Sequence, residues 1–172
     1  VWGMLEKIGV NLLAGMPAIV KPATVTSYLT EAVVREIIAS NILPEGSLQL
    51  LCGSAGDLLD HVNYQDVVTF TGSASPGLTL RSHPRILQEN VPFNMEADSL
   101  NCIVLGDDVT PGMPEWDIFI KEIRKEMTLK AGQRCTGVRR IFAPKNKLED
   151  IARFLSTALS QTLIGNPLHE KV

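Results

Sequence analysis

The chain has 172 residues, 45% of them hydrophobic and 20% charged, and a net charge of −3. This is the size of one ordinary domain or of parts of two, with the composition of a soluble globular protein. The charge is too mild for a nucleic-acid or membrane-surface protein, and no apolar run approaches the roughly 20 residues of a membrane span.

Residues 1–14 read as a helix, with Trp2, Leu5, Ile8 and Leu12 three or four apart and Gly15 as its stop. Because Val1 already reads as the inside of that helix, the expectation is a piece of a longer protein. Pro17-Ala18-Ile19-Val20 is a short apolar strand ended by Lys21-Pro22. Residues 27–40 form a second helix, with Leu29, Val33 and Ile37 on one side and Glu31 placed to pair with Arg35 on the other. After the turn Pro44-Glu45-Gly46 comes a strand, Leu48 to Leu51, ended by Gly53. A short helix is expected from Gly56 to Val62. A strand Val67 to Phe70 follows, ended by Thr71-Gly72, with Ser73 capping a helix to about Ser82.

Strands alternating with helices through short connections imply an α/β fold with a parallel sheet covered on both faces. In such sheets ligands sit at the carboxyl ends of the strands. Lys21, Gly53 and Ser73 all fall at those ends. The pattern changes from residue 91, and a change of domain is expected near residues 98–106. Leu100 to Leu105 is a strand, residues 115–130 a helix with Trp116, Ile120, Ile123 and Met127 inward, Arg139 to Ala143 a strand, and Lys147 to Leu163 a last helix. The run Lys121, Glu122, Arg124, Lys125, Glu126 reads as a solvated face.

Four groups carry chemistry. Cys135, in Gly132-Gln133-Arg134-Cys135-Thr136, offers a thiolate that can attack a carbonyl, and nearby backbone N–H groups can stabilise the resulting oxyanion. Taken alone, it would read as a buried structural cysteine, the reading kept for Cys52 and Cys102 in their apolar strands. Glu96 can take a proton from water as a general base, and its neighbours Phe93, Met95 and Leu100 point to part burial. Gly72 and Ser73 offer N–H groups and a hydroxyl to a phosphate, or form an ordinary helix cap. Lys21 can donate to a ribose or a phosphate, or be a solvated lysine. Three cysteines at these spacings fit neither a zinc site nor a disulfide framework, so a reducing, cytoplasmic home is expected. His61, His83 and His169 lie far apart, and no metal is expected.

Lys21-Pro22-Ala23, Pro44-Glu45-Gly46, Gly53, Phe70-Thr71-Gly72-Ser73, Glu96 and Gly132-Gln133-Arg134-Cys135, in this order, resemble the aldehyde dehydrogenase superfamily. The resemblance runs from the first helix to Pro167. It implies an aldehyde-dehydrogenase-like, Rossmann-like fold, present in part. Residues 1–98 would belong to the dinucleotide-binding domain and 99–172 to the start of the catalytic domain. It implies that Cys135 is the nucleophile and Glu96 the general base, that Lys21 holds the adenosine ribose and Ser73 the pyrophosphate, and that Gly53 lets the backbone pass close to the cofactor. Two departures stand out. The family's Glu-Leu-Gly-Gly is Glu96-Ala97-Asp98-Ser99 here, and its acid three positions after the lysine is Thr24. Without that acid a 2′-phosphate is not repelled, so NADP is expected over NAD.

Glu96 to Cys102 and Leu58-Leu59-Asp60-His61 look closest to a branch acting in bacterial phenylacetate catabolism, in which the dehydrogenase is joined to a hydratase-like domain. That implies a CoA-linked semialdehyde as substrate and a homo-oligomeric parent. The family's oxyanion asparagine would precede Val1, and the glutamate on the nicotinamide ribose would follow Val172. The piece alone is therefore expected to be inactive or nearly so. Two other readings stay open: a dinucleotide-binding fragment without chemistry, and a CoA-acylating dehydrogenase. A hydrolytic cysteine enzyme would want a histidine partner for Cys135, which the sequence does not place.

Overall fold

The computed structural model describes residues 1–166, 168 and 169. Pro167, where the resemblance ends, lies outside them. The backbone forms two compact units, Val1–Ala97 and Asp98–Val172.

The first unit runs α1 (Trp2–Leu13), β1 (Ala18–Val20), α2 (Ser27–Ala39), β2 (Leu48–Leu50), β3 (Val68–Gly72), α3 (Ala74–Arg81), α4 (Pro84–Gln88) and β4 (Phe93–Ala97). β1 and β2 pair in parallel, Ala18 with Leu48 and Val20 with Leu50. β3 and β4 do the same, from Val68 with Phe93 to Gly72 with Ala97. Parallel pairing follows from each strand being joined to the next through a helix. The expected α/β class is therefore observed, but as separate two-stranded sheets among the described residues.

Ile8, Ala18, Val34 and Leu48 are buried together, with Met4, Leu12, Val20 and Ile37 against them. α1 packs through the expected Ile8 and Leu12, with Met4 in place of Trp2 and Leu5, whereas α2 is turned by about one residue from the expected face, roughly 100° at 3.6 residues per turn. α1 buries Met4, Ile8 and Leu12, and Trp2 is 78% exposed. α2 buries Thr30 and Val34 while Leu29 faces out. Glu31 and Arg35 pair as expected, with Arg35 Nε 3.0 Å from Glu31 Oε1, and this hydrogen bond holds the guanidinium above its ordinary pKa. α1 ends as the glycine predicts. Gly15 takes φ 76°, its N–H donates to Leu12 O at 3.0 Å, and the N–H of Met16 donates to Asn11 O at 2.8 Å.

Residues 56–62 hold only a 3₁₀ turn, Leu58–His61. Two elements lay unread in the sequence. α4 is too short for periodicity to register, although Pro84 at its first turn and the His83 side chain accepting from the Arg85 N–H mark its start. β4 alternates, with Phe93, Met95 and Ala97 half-buried and Asn94 and Glu96 exposed. Doubly buried apolar strands were the expectation. The observed strands are instead covered on one side at most: Ile19 of β1 is exposed, as are all three residues of the strand Arg140–Phe142.

The second unit runs β5 (Cys102–Val104), α5 (Pro114–Thr128), β6 (Arg140–Phe142) and α6 (Leu148–Ser160). β5 pairs in parallel with β6, Cys102 with Arg140 and Val104 with Phe142. Leu105, Trp116, Phe119, Ile120, Ile123 and Ile151 form the core. The Trp116 ring meets Phe154 edge-on, 5.6 Å between centroids and 76° between planes. Phe119 joins the expected Trp116, Ile120 and Ile123 in the core, whereas Met127 is exposed.

The ammonium of Lys147, a residue only 7% exposed, is buried beneath a loop. It donates to the carbonyls of Gly106 at 3.3 Å, Asp107 at 2.5 Å and Val109 at 2.5 Å. A buried charge is tolerated when hydrogen bonds replace its water, so this lysine fixes the loop that leads into α5.

Candidate functional site

In the first unit the carboxyl ends of paired strands collect the expected nucleotide-side residues. Val20 lies opposite Leu50, so Lys21 and the Cys52-Gly53 turn leave the same edge of one sheet. Lys21 is exposed, and its ammonium turns back onto the carbonyl of Pro22 at 3.1 Å. Thr24 is exposed and opens a 3₁₀ turn, Thr24–Thr26. Gly53 takes φ 101° with open space where a Cβ would stand, so backbone conformation rather than crowding demands glycine there.

Gly72 ends β3 and pairs with Ala97. Ser73 occupies the N-cap of α3, but its side chain makes no capping hydrogen bond, contrary to the expected capping role. Its exposed hydroxyl and the N–H groups of Ala74 and Ser75 are the donors at this helix start; Pro76 has none. α3 comes close to the sheet because Gly77 has no side chain. A Cβ there would stand 2.7 Å from Met95 Sδ and 2.9 Å from Phe70 Cε1. The Lys21 ammonium lies at the end of one two-stranded sheet and the Ser73 hydroxyl with the free amides at the end of another, and each is a donor of the kind that a phosphate or a ribose accepts from.

Glu96 lies opposite Thr71. Its side chain is 59% exposed rather than half-buried, because the alternation of β4 turns it away from Met95 and Ala97. Lys7 reaches it from α1, with Nζ 2.7 Å from Glu96 Oε1. Lys7 is the single basic residue of α1 and no motif marks it.

Cys135 lies in the second unit on a loop of unusual backbone. Lys130, Ala131 and Gly132 take φ of 53°, 54° and 70° in succession. Such conformations cost a non-glycine residue about 1 kcal/mol or more, so the surroundings must hold them. Arg139 Nη2 donates to Gly132 O and to Arg134 O, each at 3.1 Å. Asn101 Nδ2 donates to Cys135 O at 2.6 Å and Gly137 O at 3.4 Å. Arg134 Nη1 meets Glu126 Oε1 at 3.0 Å, and Glu126 is only 15% exposed, so this member of the charged run is turned inward rather than solvated. The N–H of Gly137 donates to Arg134 O at 3.2 Å and closes a turn with Cys135 and Thr136 at its tip. Cys52 and Cys102 are exposed too, against the expectation of burial, since Cys52 lies beyond the end of β2 and Cys102 sits in a strand covered on one side only. Exposure does not distinguish Cys135; its place at the tip of a clamped turn does.

The aldehyde dehydrogenase family model matches residues 2–172. The chain is 46% identical over 171 residues to the 3,4-dehydroadipyl-CoA semialdehyde dehydrogenase of Aromatoleum evansii, covering 99% of this chain and 33% of that protein. It is 27% identical over 164 residues to the alpha-aminoadipic semialdehyde dehydrogenase of Mus musculus, covering 92% and 29%. The chain thus spans about a third of the length of the curated relatives it matches. Among solved structures, a Mycobacterium tuberculosis aldehyde dehydrogenase complexed with NAD+ superposes with a TM-score of 0.78 at 26% identity, over 93% of this chain and 32% of that one. An NADP-dependent enzyme of E. coli shares the fold with a TM-score of 0.84 at 23% identity, over 98% and 34%.

Proposed function

The chain belongs to the aldehyde dehydrogenase family, and from that premise we propose that it is part of an NAD(P)-dependent enzyme oxidising a CoA-linked semialdehyde to its acid. Residues 1–98 contribute to the dinucleotide-binding domain and 99–172 to the catalytic domain. The bound nicotinamide supplies the hydride acceptor. The Cys135 thiolate adds to the aldehyde carbon, and backbone N–H groups at the tip of its turn face the oxygen that becomes negative. Once the carbon is at the thioester level, Glu96 takes a proton from water, and the hydroxide equivalent displaces the Cys135 sulfur. Lys21 and Thr24 address the adenosine ribose, Gly72 and Ser73 the pyrophosphate, and Gly53 gives the cofactor room.

The observation that carries this reading is the clamped turn presenting Cys135, in a chain matched by the family model over nearly all its length. The name of the Aromatoleum evansii relative favours a CoA-linked semialdehyde. Thr24, standing where the family often has an acid, favours NADP. A carboxylate in place at Glu96 favours hydrolysis over transfer to CoA.

The test is a chimera in which this chain replaces the matching third of the Aromatoleum evansii dehydrogenase. It should reduce NADP+ in preference to NAD+ with a CoA-linked semialdehyde. Cys135→Ser should abolish turnover, and Glu96→Gln should leave an acyl group on Cys135. A chimera whose Cys135→Ser variant keeps its activity would end this reading.

A further inference from the structure

We infer that Asn101 is the positioning residue for the Cys135 turn. The inference rests on Cys135 being the nucleophile. Four carbonyls of the loop, those of Gly132, Arg134, Cys135 and Gly137, are gathered by two side chains, Arg139 and Asn101. Only Asn101 holds the carbonyl of Cys135 itself, at 2.6 Å. Among the described residues the N–H groups of Cys135 and Thr136 meet no acceptor. With the Cys135 carbonyl drawn inward, these amides are left free at the tip, where a developing oxyanion needs donors.

The backbone of Asn101 shows why this residue can act as a fixed point. Its carbonyl accepts the N–H of Arg139 at 2.8 Å and of Arg140 at 3.2 Å, at the start of the β5–β6 pairing. The side-chain amide is therefore anchored to the sheet, and the sulfur's position is set from β5 rather than by the loop's own strained backbone. Asn101 touches no reacting atom in this account. It acts through the Cys135 peptide.

Alkylation of the 172-residue chain by iodoacetamide, followed residue by residue by mass spectrometry, tests this. Cys52 serves as the internal reference because it lies in the other unit. The parental chain should label Cys135 faster than Cys52. Asn101→Leu removes both donations at nearly constant volume, and it should lower the Cys135-to-Cys52 rate ratio by about tenfold or more with the melting transition preserved. Asn101→Asp keeps the shape and loses the donor, and gives the same readout should the leucine variant not fold. An elevated parental ratio that neither folded variant lowers would overturn the role of Asn101 and leave Cys135 as nucleophile. A parental ratio near one would overturn the nucleophile reading itself, and the role of Asn101 with it.

Discussion

Lys7 and Glu96 are bound across the first unit, Nζ to Oε1 at 2.7 Å, joining the first helix to the last strand. The bond engages one carboxylate oxygen and fixes the direction of the other. A base must be aimed as well as present, because proton abstraction works only within hydrogen-bond reach. Lys7→Met in the chimera should slow thioester hydrolysis toward the level of Glu96→Gln, itself a loss of about 10²–10⁴. Because the Glu96 carboxylate is 59% exposed and the pair lies at the surface, stability should fall by under about 1 kcal/mol. Single-turnover release of acid, read beside a denaturation curve, checks both; unchanged hydrolysis would remove Lys7 from the account.

Thr24→Glu places an acid three positions after Lys21. A carboxylate there repels a 2′-phosphate, so the ratio of kcat/KM for NADP over NAD should drop about tenfold or more in the chimera. Parallel titrations with the two cofactors measure it, and an unchanged ratio would show that position 24 does not face the ribose.

Gly77→Ala should destabilise the first unit by about 1–3 kcal/mol, the usual cost of forcing an extra carbon into a packed contact. The new Cβ would press on Met95 Sδ and Phe70 Cε1. Urea denaturation decides, and an alanine variant as stable as the parent would mean that α3 lifts off the sheet freely.

Two neighbouring substitutions in the Cys135 loop should act in opposite directions. Ala131→Gly relieves a left-handed alanine and should stabilise by about 1 kcal/mol. Gly132→Ala adds a side chain at φ 70° with its Cβ 3.0 Å from Met127 O, and should destabilise by more than that. Equal melting temperatures for the two variants would refute the strain argument.

Lys147→Met should cost about 2–3 kcal/mol, since it strips the carbonyls of Gly106, Asp107 and Val109 of a charged donor. Hydrogen exchange should rise first in residues 106–113. A variant with parental stability would mean that water replaces the ammonium without penalty.

The parts of this molecule legible in its sequence are those written in local chemistry. Gly15 ends a helix by its left-handed φ, Glu31 finds Arg35 one turn on, and apolar runs at short spacing announce parallel pairing. Helix faces were misjudged because Trp2 and Leu29 satisfy the same periodicity as Met4 and Thr30, and only the sheet decides which side is covered. β4 escaped because its alternation of apolar and polar residues lacks the doubly apolar pattern expected of a parallel strand. Of the candidate site, motif order marked Cys135, Glu96, Lys21 and Ser73. Lys7 and Asn101 stayed hidden because their partners lie far along the chain, and Asn101 and Arg139 because the groups they hold are backbone carbonyls that no motif records.

Each sheet described here has two strands, so each strand has a neighbour on one flank alone among the described residues. The other flank presents a ladder of N–H and C=O groups beside apolar side chains such as Ile19, Val104 and Phe142. Such rims recruit further strands. Handled as an isolated polypeptide, the chain should therefore self-associate as its concentration rises, and charged substitutions at Val104 or Phe142 should delay that without touching the Cys135 turn.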